Sequence, residues 1–207
     1  MIKLYETDNF YLRPFTKEDI TDQYLSWFAD QEVTKYTSHG LFKYTKEMSI
    51  EFLENADKNG DMIWAIIAKL KSTIPQEFSP DFSGDFGTNI IYDHIGNIAL
   101  QNINWINRTA EFSGIIGKKE YWGKGIGTDA VQLLFAHGFN KLNLNRIYLG
   151  TAKENIGMRS IAEKLGMQRE GKLRNHVFLN GSYTDIIQYG ILKEEWGMGD
   201  LTSKRKH

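Results

Sequence analysis

The sequence predicts an α+β fold, on three observations. Two hairpins are legible: residues 96–106 and 110–116 flank Asn107-Arg108, and residues 168–179 and 183–192 flank Asn180-Gly181, a dipeptide suited to a tight hairpin turn. Stretches with apolar residues at helical spacing interrupt these strand-like runs. A β-rich apolar run also ends at Gly114 and Gly117 and gives way to a helix after Gly127. Helices mixed with antiparallel pairs argue against a doubly wound parallel sheet. A chain of 207 residues is read as one domain over 1–207, able to bury roughly 70% of its unfolded surface around a single core.

In chain order, residues 9–15 form a strand, and Thr16 and Asp19 stand at capping-box spacing before a helix carrying Ile20, Tyr24, Trp27 and Phe28. A second helix starts after Thr45, uses Met48, Ile50, Phe52 and Leu53, and ends at Asn59-Gly60. Residues 62–70 alternate weakly, but their β-branched and aromatic content suits a buried strand. From 71 to 93 the composition turns to Ser, Pro, Gly and Asp, with Pro75, Pro80 and Gly84. This predicts a long loop or insertion between an N-terminal half, 1–70, and a core of 94–196. The helix after Gly127 puts Ile126, Ala130, Leu133 and Leu134 on one face and Asp129, Gln132, Ala136 and Asn140 on the other. Residues 146–151 read as a strand. Asn155 then N-caps a helix with Met158, Ile161, Ala162 and Leu165 at i, i+3, i+4 and i+7, which Gly166 ends. Residues 197–207 read as a solvated tail.

Composition excludes several chemistries. With no cysteine, disulfides, thiolate zinc sites and a cysteine nucleophile are impossible, so any group transfer uses another nucleophile or goes directly from donor to acceptor. No metal-ligand spacing appears, so no metal is expected. A net charge of −1, with the clearest basic cluster confined to Lys204-Arg205-Lys206, argues against nucleic acid as a partner. No tract approaches the roughly 18 apolar residues of a membrane span, and residues 1–6 lack a signal-like apolar region, so no membrane partner is expected and the cytoplasm is the expected compartment.

The glycine-rich stretch from Gly117 to Thr128 carries the chemistry. A nucleoside-triphosphate loop requires Gly, four residues, then Gly-Lys-Ser/Thr; here five residues separate Gly117 from Gly123, and Gly125 stands where the hydroxyl would be. Gly123, Gly125 and Gly127 also miss the G-x-G-x-x-G dinucleotide spacing. What remains is a loop whose backbone N–H groups and helix N-terminus meet a phosphate-bearing, nucleotide-like ligand, or a merely tight strand-to-helix turn.

Trp122-Gly123-Lys124-Gly125-Ile126-Gly127-Thr128 resembles the acetyl-coenzyme A pyrophosphate loop of the GNAT acetyltransferases, Gln/Arg-x-x-Gly-x-Gly/Ala, with Trp122 at the first position as in the branch resembling ribosomal-protein N-terminal acetyltransferases. Asn155 with Ala162-Glu163-Lys164-Leu165-Gly166-Met167 resembles the second coenzyme A segment. Residues 170–175, 180–185 and Glu195-Trp196 are similar to the C-terminal hairpin of that branch. The resemblance implies a mixed, largely antiparallel central sheet flanked by helices, with a splayed acetyl-CoA cleft. It implies acetyl-CoA held by residues 122–128 and Asn155, and backbone N–H near Ile115 or Ile116, at a bulge in that strand, facing the thioester oxygen. It further implies direct attack by an amine. An alkylammonium with a pKa of about 10.4 must lose a proton first. Glu111, eleven residues before Trp122, stands where the histone-acetylating branch carries its base, with Ser113 and Ile115 on the same strand face; a structural carboxylate paired with Arg108 is the alternative. The tyrosine many members use as proton donor is Ala162 here, and the serine used in the ribosomal-protein branch is Met158. Tyr189 and Tyr183 are the replacements considered, beside solvent.

For the acceptor, residues 24–36, with Trp27 and Tyr36, resemble the branch acetylating nucleotide-linked amino sugars, where aromatic rings stack on sugar or base; plain helix packing is the alternative. His176 is placed at the acceptor cleft by the resemblance. His137 reads as a core residue, and His39 and His94 have no partner readable in the sequence. A small amine, an amino sugar or its nucleotide-linked form, is the expected acceptor. A protein N-terminus is the alternative, a polyamine drawn to Asp81, Asp85 and Asp93 remains open, and a non-catalytic acetyl-CoA sensor is the reading from another class. A homodimer is left open.

Overall fold

Period-two burial along the strands sorts the apolar residues onto two faces, and each face carries its own helices. A computed structural model describes residues 2–37, 41, 44–72 and 89–196. Pro75, Pro80, Gly84, Asp81, Asp85, His39 and the 197–207 tail lie outside the described residues. The described strands form one sheet in the order β1-β2-β3-β4-β5-β6-β8-β7. They are β1 (Tyr5–Glu6), β2 (Phe10–Pro14), β3 (Met62–Ser72), β4 (Asn89–Asn104), β5 (Thr109–Ile116), β6 (Arg146–Ala152), β7 (Gln168–Leu179) and β8 (Ser182–Leu192). Neighbours are antiparallel except β5 and β6, which run parallel on either side of helix α3 (Ile126–Asn140). Asn180 and Gly181, with φ of 51° and 83°, make the left-handed turn of the β7–β8 hairpin.

Phe10, Leu12, Trp64, Ile66, Ile98, Leu100, Phe112, Ile147 and Leu149 point to one face, against α3 and α4 (Ile156–Lys164). Tyr11, Phe15, Ala65, Ile67 and Ile115 point to the other, under α1 (Asp22–Ala29) and α2 (Lys46–Asn59). A short helix α5 (Lys193–Trp196) brings the Trp196 ring to 5.7 Å from both Phe135 and Phe139 of α3. His137 belongs to the α3 face: its Nδ1 lies 3.0 Å from the Tyr5 hydroxyl and its ring is edge-on to Trp64.

Four expectations need correction. The Thr16/Asp19 box closes a single 3-10 turn, Lys17–Asp19; Ile20 leaves helical geometry and Thr21 caps α1 afresh, its side chain accepting from the Tyr24 amide. On α2, Met48 and Phe52 are each 46% exposed and the buried residues are Ser49, Leu53 and Ala56, so that stripe is rotated. The 71–93 loop is shorter than its composition implied, because β3 runs on to Ser72 and pairs there with Asn89, and Ile90, Ile91 and Tyr92 continue the ladder. Strand pairing overrides composition where β-branched residues supply it. The bulge expected near Ile115 is absent: β5 pairs with β4 in unbroken register from Glu111 to Ile116. The irregularities fall in β4, around Ile95 and at Asn102, whose φ is 52°.

Candidate active site

The parallel pair β5–β6 holds for three steps, Thr109↔Arg146, Ala110↔Ile147 and Glu111↔Tyr148, and then opens. Beyond it β6 stays paired with β8 up to Ala152↔Ile186, while β5 stays paired with β4 up to Ile116↔Gly96. The strands therefore diverge, leaving a wedge in which the backbone edges of 112–116 and 149–152 face no strand partner. An extended, amide-bearing chain fits such an edge.

At the mouth of the wedge lie the glycines. Gly123 and Gly125 have φ of 73° and 83°, values that a Cβ would strain, and neither has any atom within 4 Å of the position a Cβ would take. Gly125 is the N-cap of α3 and offers no side chain, so the amides of Ile126, Gly127 and Thr128 lack a helical partner while Asp129 N–H already bonds to the Gly125 carbonyl. A left-handed Gly125 followed by these free amides makes a helix N-terminus open to an anion. Beside it, the Trp122 indole N–H donates to the Ile116 carbonyl at 2.8 Å, tying the loop to the end of β5, and the Lys124 ammonium lies 5.6 Å from the Tyr121 ring centre. Asn155 accepts from the Met158 amide at 3.1 Å, so it caps α4 on the far wall of the wedge. Gly117 has a different reason to be glycine: the Trp27 indole occupies the place of its Cβ, the ring carbon Cδ2 lying 1.9 Å away.

On the α1/α2 face, directly against the wedge, is a cavity of about 180 Å³ lined by Tyr24, Phe28, Thr37, Tyr44, Phe52, Asn97, Ser113, Gly114 and Ile115 among others. Ser113, Gly114 and Ile115 thus serve both spaces, with one backbone edge in the wedge and one face under the cavity. Burial holds the Tyr24 phenol well above its ordinary pKa and therefore neutral. A wider hollow of about 510 Å³ lies at Asn145, Leu192, Lys193 and Glu194, far along the sequence from the glycine loop and without aromatic walls. The loop after α1 is joined to the 3-10 turn before the glycine loop by Lys119, whose ammonium lies 2.8 Å from Asp30 and 3.0 Å from Glu32.

Glu111 occupies the crotch of the wedge, on the same face as Ser113, about 7 Å along the strand. The Asn102 amide donates to its Oε2 at 2.8 Å, so the left-handed Asn102 of the β4 irregularity fixes the carboxylate. No ion pair with Arg108 is found among the described residues. Opposite stands Tyr148, which the sequence reading missed; burial and the Glu111 charge push its phenol pKa up. The signal that could have found it is the parallel register, invisible without the fold.

Five residues considered for the site stand outside the lining of the cavity. Tyr189 pairs with Leu149 and so falls on the α4 face, 2% exposed; its hydroxyl donates to Glu163 at 3.2 Å and accepts from Arg159 at 3.4 Å, which makes it a clamp on α4. Trp27 is 4% exposed and turned toward Gly117 and His94, while its helix neighbours Tyr24 and Phe28 reach the cavity. His176 is exposed on β7, next to Asn175, whose amide donates to Asp185. Tyr36 is half-exposed beside Lys35, whose carbonyl accepts from Asn180 at the hairpin tip. Tyr183 is 67% exposed and packs edge-on against Phe178.

The model of the acetyltransferase (GNAT) domain matches residues 9–168. The chain belongs to the GNAT acetyltransferase family. Among curated relatives of this GNAT chain, YdaF of Bacillus subtilis (strain 168), provisionally named a ribosomal N-acetyltransferase, is 38% identical over 52% of the chain and 59% of its own length. The spermidine N(1)-acetyltransferase of Escherichia coli (strain K12) is 41% identical over 49% of the chain and 54% of its own length. The chain thus spans little more than half of these relatives, whereas an uncharacterised N-acetyltransferase of Bacillus licheniformis, p20, is 29% identical over 92% of the chain and 96% of that protein. Of solved structures, the Vibrio cholerae spermidine N-acetyltransferase with CoA and spermine has a TM-score of 0.69 at 24% identity, covering 92% of this chain and 99% of that one, a likeness of fold. Among the described residues no helix is long and apolar enough to cross a membrane, and no three His, Cys, Asp or Glu side chains gather to hold a metal ion.

Proposed function

We propose that this GNAT protein is an acetyl-CoA-dependent N-acetyltransferase that moves the acetyl group directly to the primary amine of a small molecule, an amino sugar or nucleotide-linked amino sugar. The observation that carries the reading is the shared segment Ser113–Ile115, which joins an open strand edge ending at an anion-ready helix N-terminus to an aromatic, hydrogen-bonding cavity. A thioester carrier laid along the edge delivers its acetyl carbon to an amine in the cavity without an acyl-enzyme. The C–N bond forms as the C–S bond breaks.

Two protons need a place. Glu111, on the same strand face as Ser113 of the cavity floor, takes through intervening water the ammonium proton that would otherwise keep the amine unreactive. Tyr148, kept protonated by burial and by Glu111, supplies the proton to the leaving thiolate in the role first given to Tyr189. The amides of 126–128 and the loop glycines hold the pyrophosphate.

Polyamines and protein N-termini, on which relatives are named to act, are the competing acceptors. A polyamine carries several ammonium groups, and among the described residues no carboxylate lines the cavity, where four aromatic rings and three small polar side chains favour a single-amine, hydroxyl-bearing body. The test is thiol release from acetyl-CoA with amino sugars, nucleotide-linked amino sugars, spermidine and N-terminal peptides. Fastest turnover on an amino sugar is expected. Preference for spermidine overturns the acceptor, and binding of acetyl-CoA without turnover on any amine overturns the enzyme in favour of a sensor.

A further inference from the structure

The acceptor cavity has one side chain whose orientation is dictated from outside it. Asn97 is 8% exposed and sits on the cavity floor, opposite Ile115 in the β4–β5 ladder. Its Oδ1 is taken by Nε2 of His94 at 2.7 Å. This bond engages the carboxamide oxygen, and no hydrogen bond from either N–H of Nδ2 is found among the described residues, while the side chain borders the cavity.

His94 cannot readily turn away. Its ring is stacked with Tyr24, 6.3 Å apart and 9° from parallel, and packs against Trp27 at 5.0 Å and Phe15 at 5.9 Å. Burial lowers its pKa, with the hydrogen bond to Asn97 and the nearby Asp19 charge opposing, so the ring is neutral near pH 7; in the tautomer protonated on Nε2 it donates to the Asn97 oxygen. The insertion at Ile95, which makes Ile66 face Gly96 while Ile67 faces His94, is what brings residues 94 and 97 within bonding reach. Close by, the Ser113 hydroxyl is a second polar group on the floor.

We propose that Asn97, held by His94 as a positioning residue, is the specificity-determining donor of the acceptor cavity and selects amines whose body carries a hydroxyl or ring oxygen. This deepens the acceptor reading above and rests on it. An oxygen placed there satisfies N–H groups that a hydrocarbon body would leave unpaired, and sites of this kind discriminate against the analogue lacking the oxygen more strongly than apolar pockets discriminate by size.

The test compares two amines of similar ring size, glucosamine and cyclohexylamine, by calorimetric binding to the CoA-saturated protein and by KM where turnover is seen. The wild-type protein is expected to bind the sugar at least tenfold more tightly. Asn97→Ala and Asn97→Asp should each narrow that ratio at least tenfold. His94→Phe, which keeps the ring packing and removes the donor, should narrow it severalfold with a melting temperature close to wild type. Equal wild-type binding of the two amines overturns the proposal, as does an Asn97 variant that weakens both alike or neither. Selective binding lost in the Asn97 variants, together with no acetyl transfer to any amine, would leave the selectivity standing and end the transferase reading.

Discussion

On the proposed reading, the two ends of the site recognise their ligands by different means. At the wedge, recognition lies in the backbone: strand edges released by the divergence of β5 and β6, two left-handed glycines and the uncapped first turn of α3. At the cavity it lies in side chains that reach one space from α1, α2, β4 and β5. A backbone site tolerates wide exchange of residues provided φ and register survive, so it suits a ligand common to a family. A side-chain site changes with a single substitution, so it suits the ligand in which members differ. The two meet at Ser113–Ile115, and Lys119 braces their loops from outside through Asp30 and Glu32.

The sharpest division between the two should come from Glu111, which stands where they join. Glu111→Gln preserves shape and the bond from Asn102 while removing proton acceptance, so turnover should fall about 10²- to 10⁴-fold with coenzyme A affinity nearly unchanged. Raising the pH should partly restore it, because more of the acceptor arrives as free amine. Near-normal turnover at neutral pH with a lowered melting temperature would make Glu111 structural and detach the base from this junction.

Trp27 tests whether the acceptor side depends on packing alone. Its indole fills the space over Gly117, so Trp27→Ala should cost about 3–5 kcal/mol of stability, read by urea unfolding. Gly117→Ala should also destabilise, since a methyl group there collides with the ring. If Trp27→Ala keeps its stability and instead loses acceptor binding, the residue belongs to the ligand.

The backbone end was the more legible in the sequence, for a physical reason. An asparagine at a helix N-cap and an Asn-Gly turn are local signals, read within a few residues, and Asn155 and Asn180-Gly181 take the expected conformations, while Gly123 and Gly125 of the glycine-rich stretch prove left-handed. The side-chain end is assembled by register. Tyr148 faces Glu111 and Asn97 faces Ile115 only because particular strands pair in a particular frame, and a one-residue slip would exchange the faces. Tyr189 illustrates the error: it lies on a neighbouring strand of the same sheet, but parity turns it to α4. His94 lacked a partner in sequence because its partner depends on the irregularity at Ile95.

On the backbone side, the direct test is Gly125→Val. Its φ of 83° is strained for a β-branched residue, and the branched side chain would stand in the anion's approach. The KM for acetyl-CoA should rise at least tenfold, about 1.4 kcal/mol, with the amine KM little altered. Lys124→Ala removes a charge and leaves the amides in place, so a smaller loss is expected. A larger loss for Lys124 than for Gly125 would mean that side-chain charge, not backbone, holds the phosphates.

The smallest effect separates two partly buried histidines, one for each face of the sheet. His94 lies under the acceptor cavity, where burial depresses its pKa; His137 lies on the α3 face, where burial and Lys141 do the same. In the unfolded chain each takes up a proton near its ordinary pKa of about 6.5, and in the folded protein only at lower pH. Below about pH 6.5 the unfolded state therefore binds more protons, so stability present above that pH is lost as the pH falls toward the folded values. Each histidine contributes at most about 1.4 kcal/mol per pH unit, a shift of roughly 3–6 °C in melting temperature for a chain of this size. His94→Phe and His137→Phe should each flatten part of the decline between pH 6.5 and 5, but the accompanying loss of amino-sugar binding on acidification should be altered by His94→Phe alone. The melting temperature and the binding constant, followed over the same pH series, therefore report on different faces. If both variants change binding alike, the cavity is not isolated from the α3 face and the division between the two ends of the site fails.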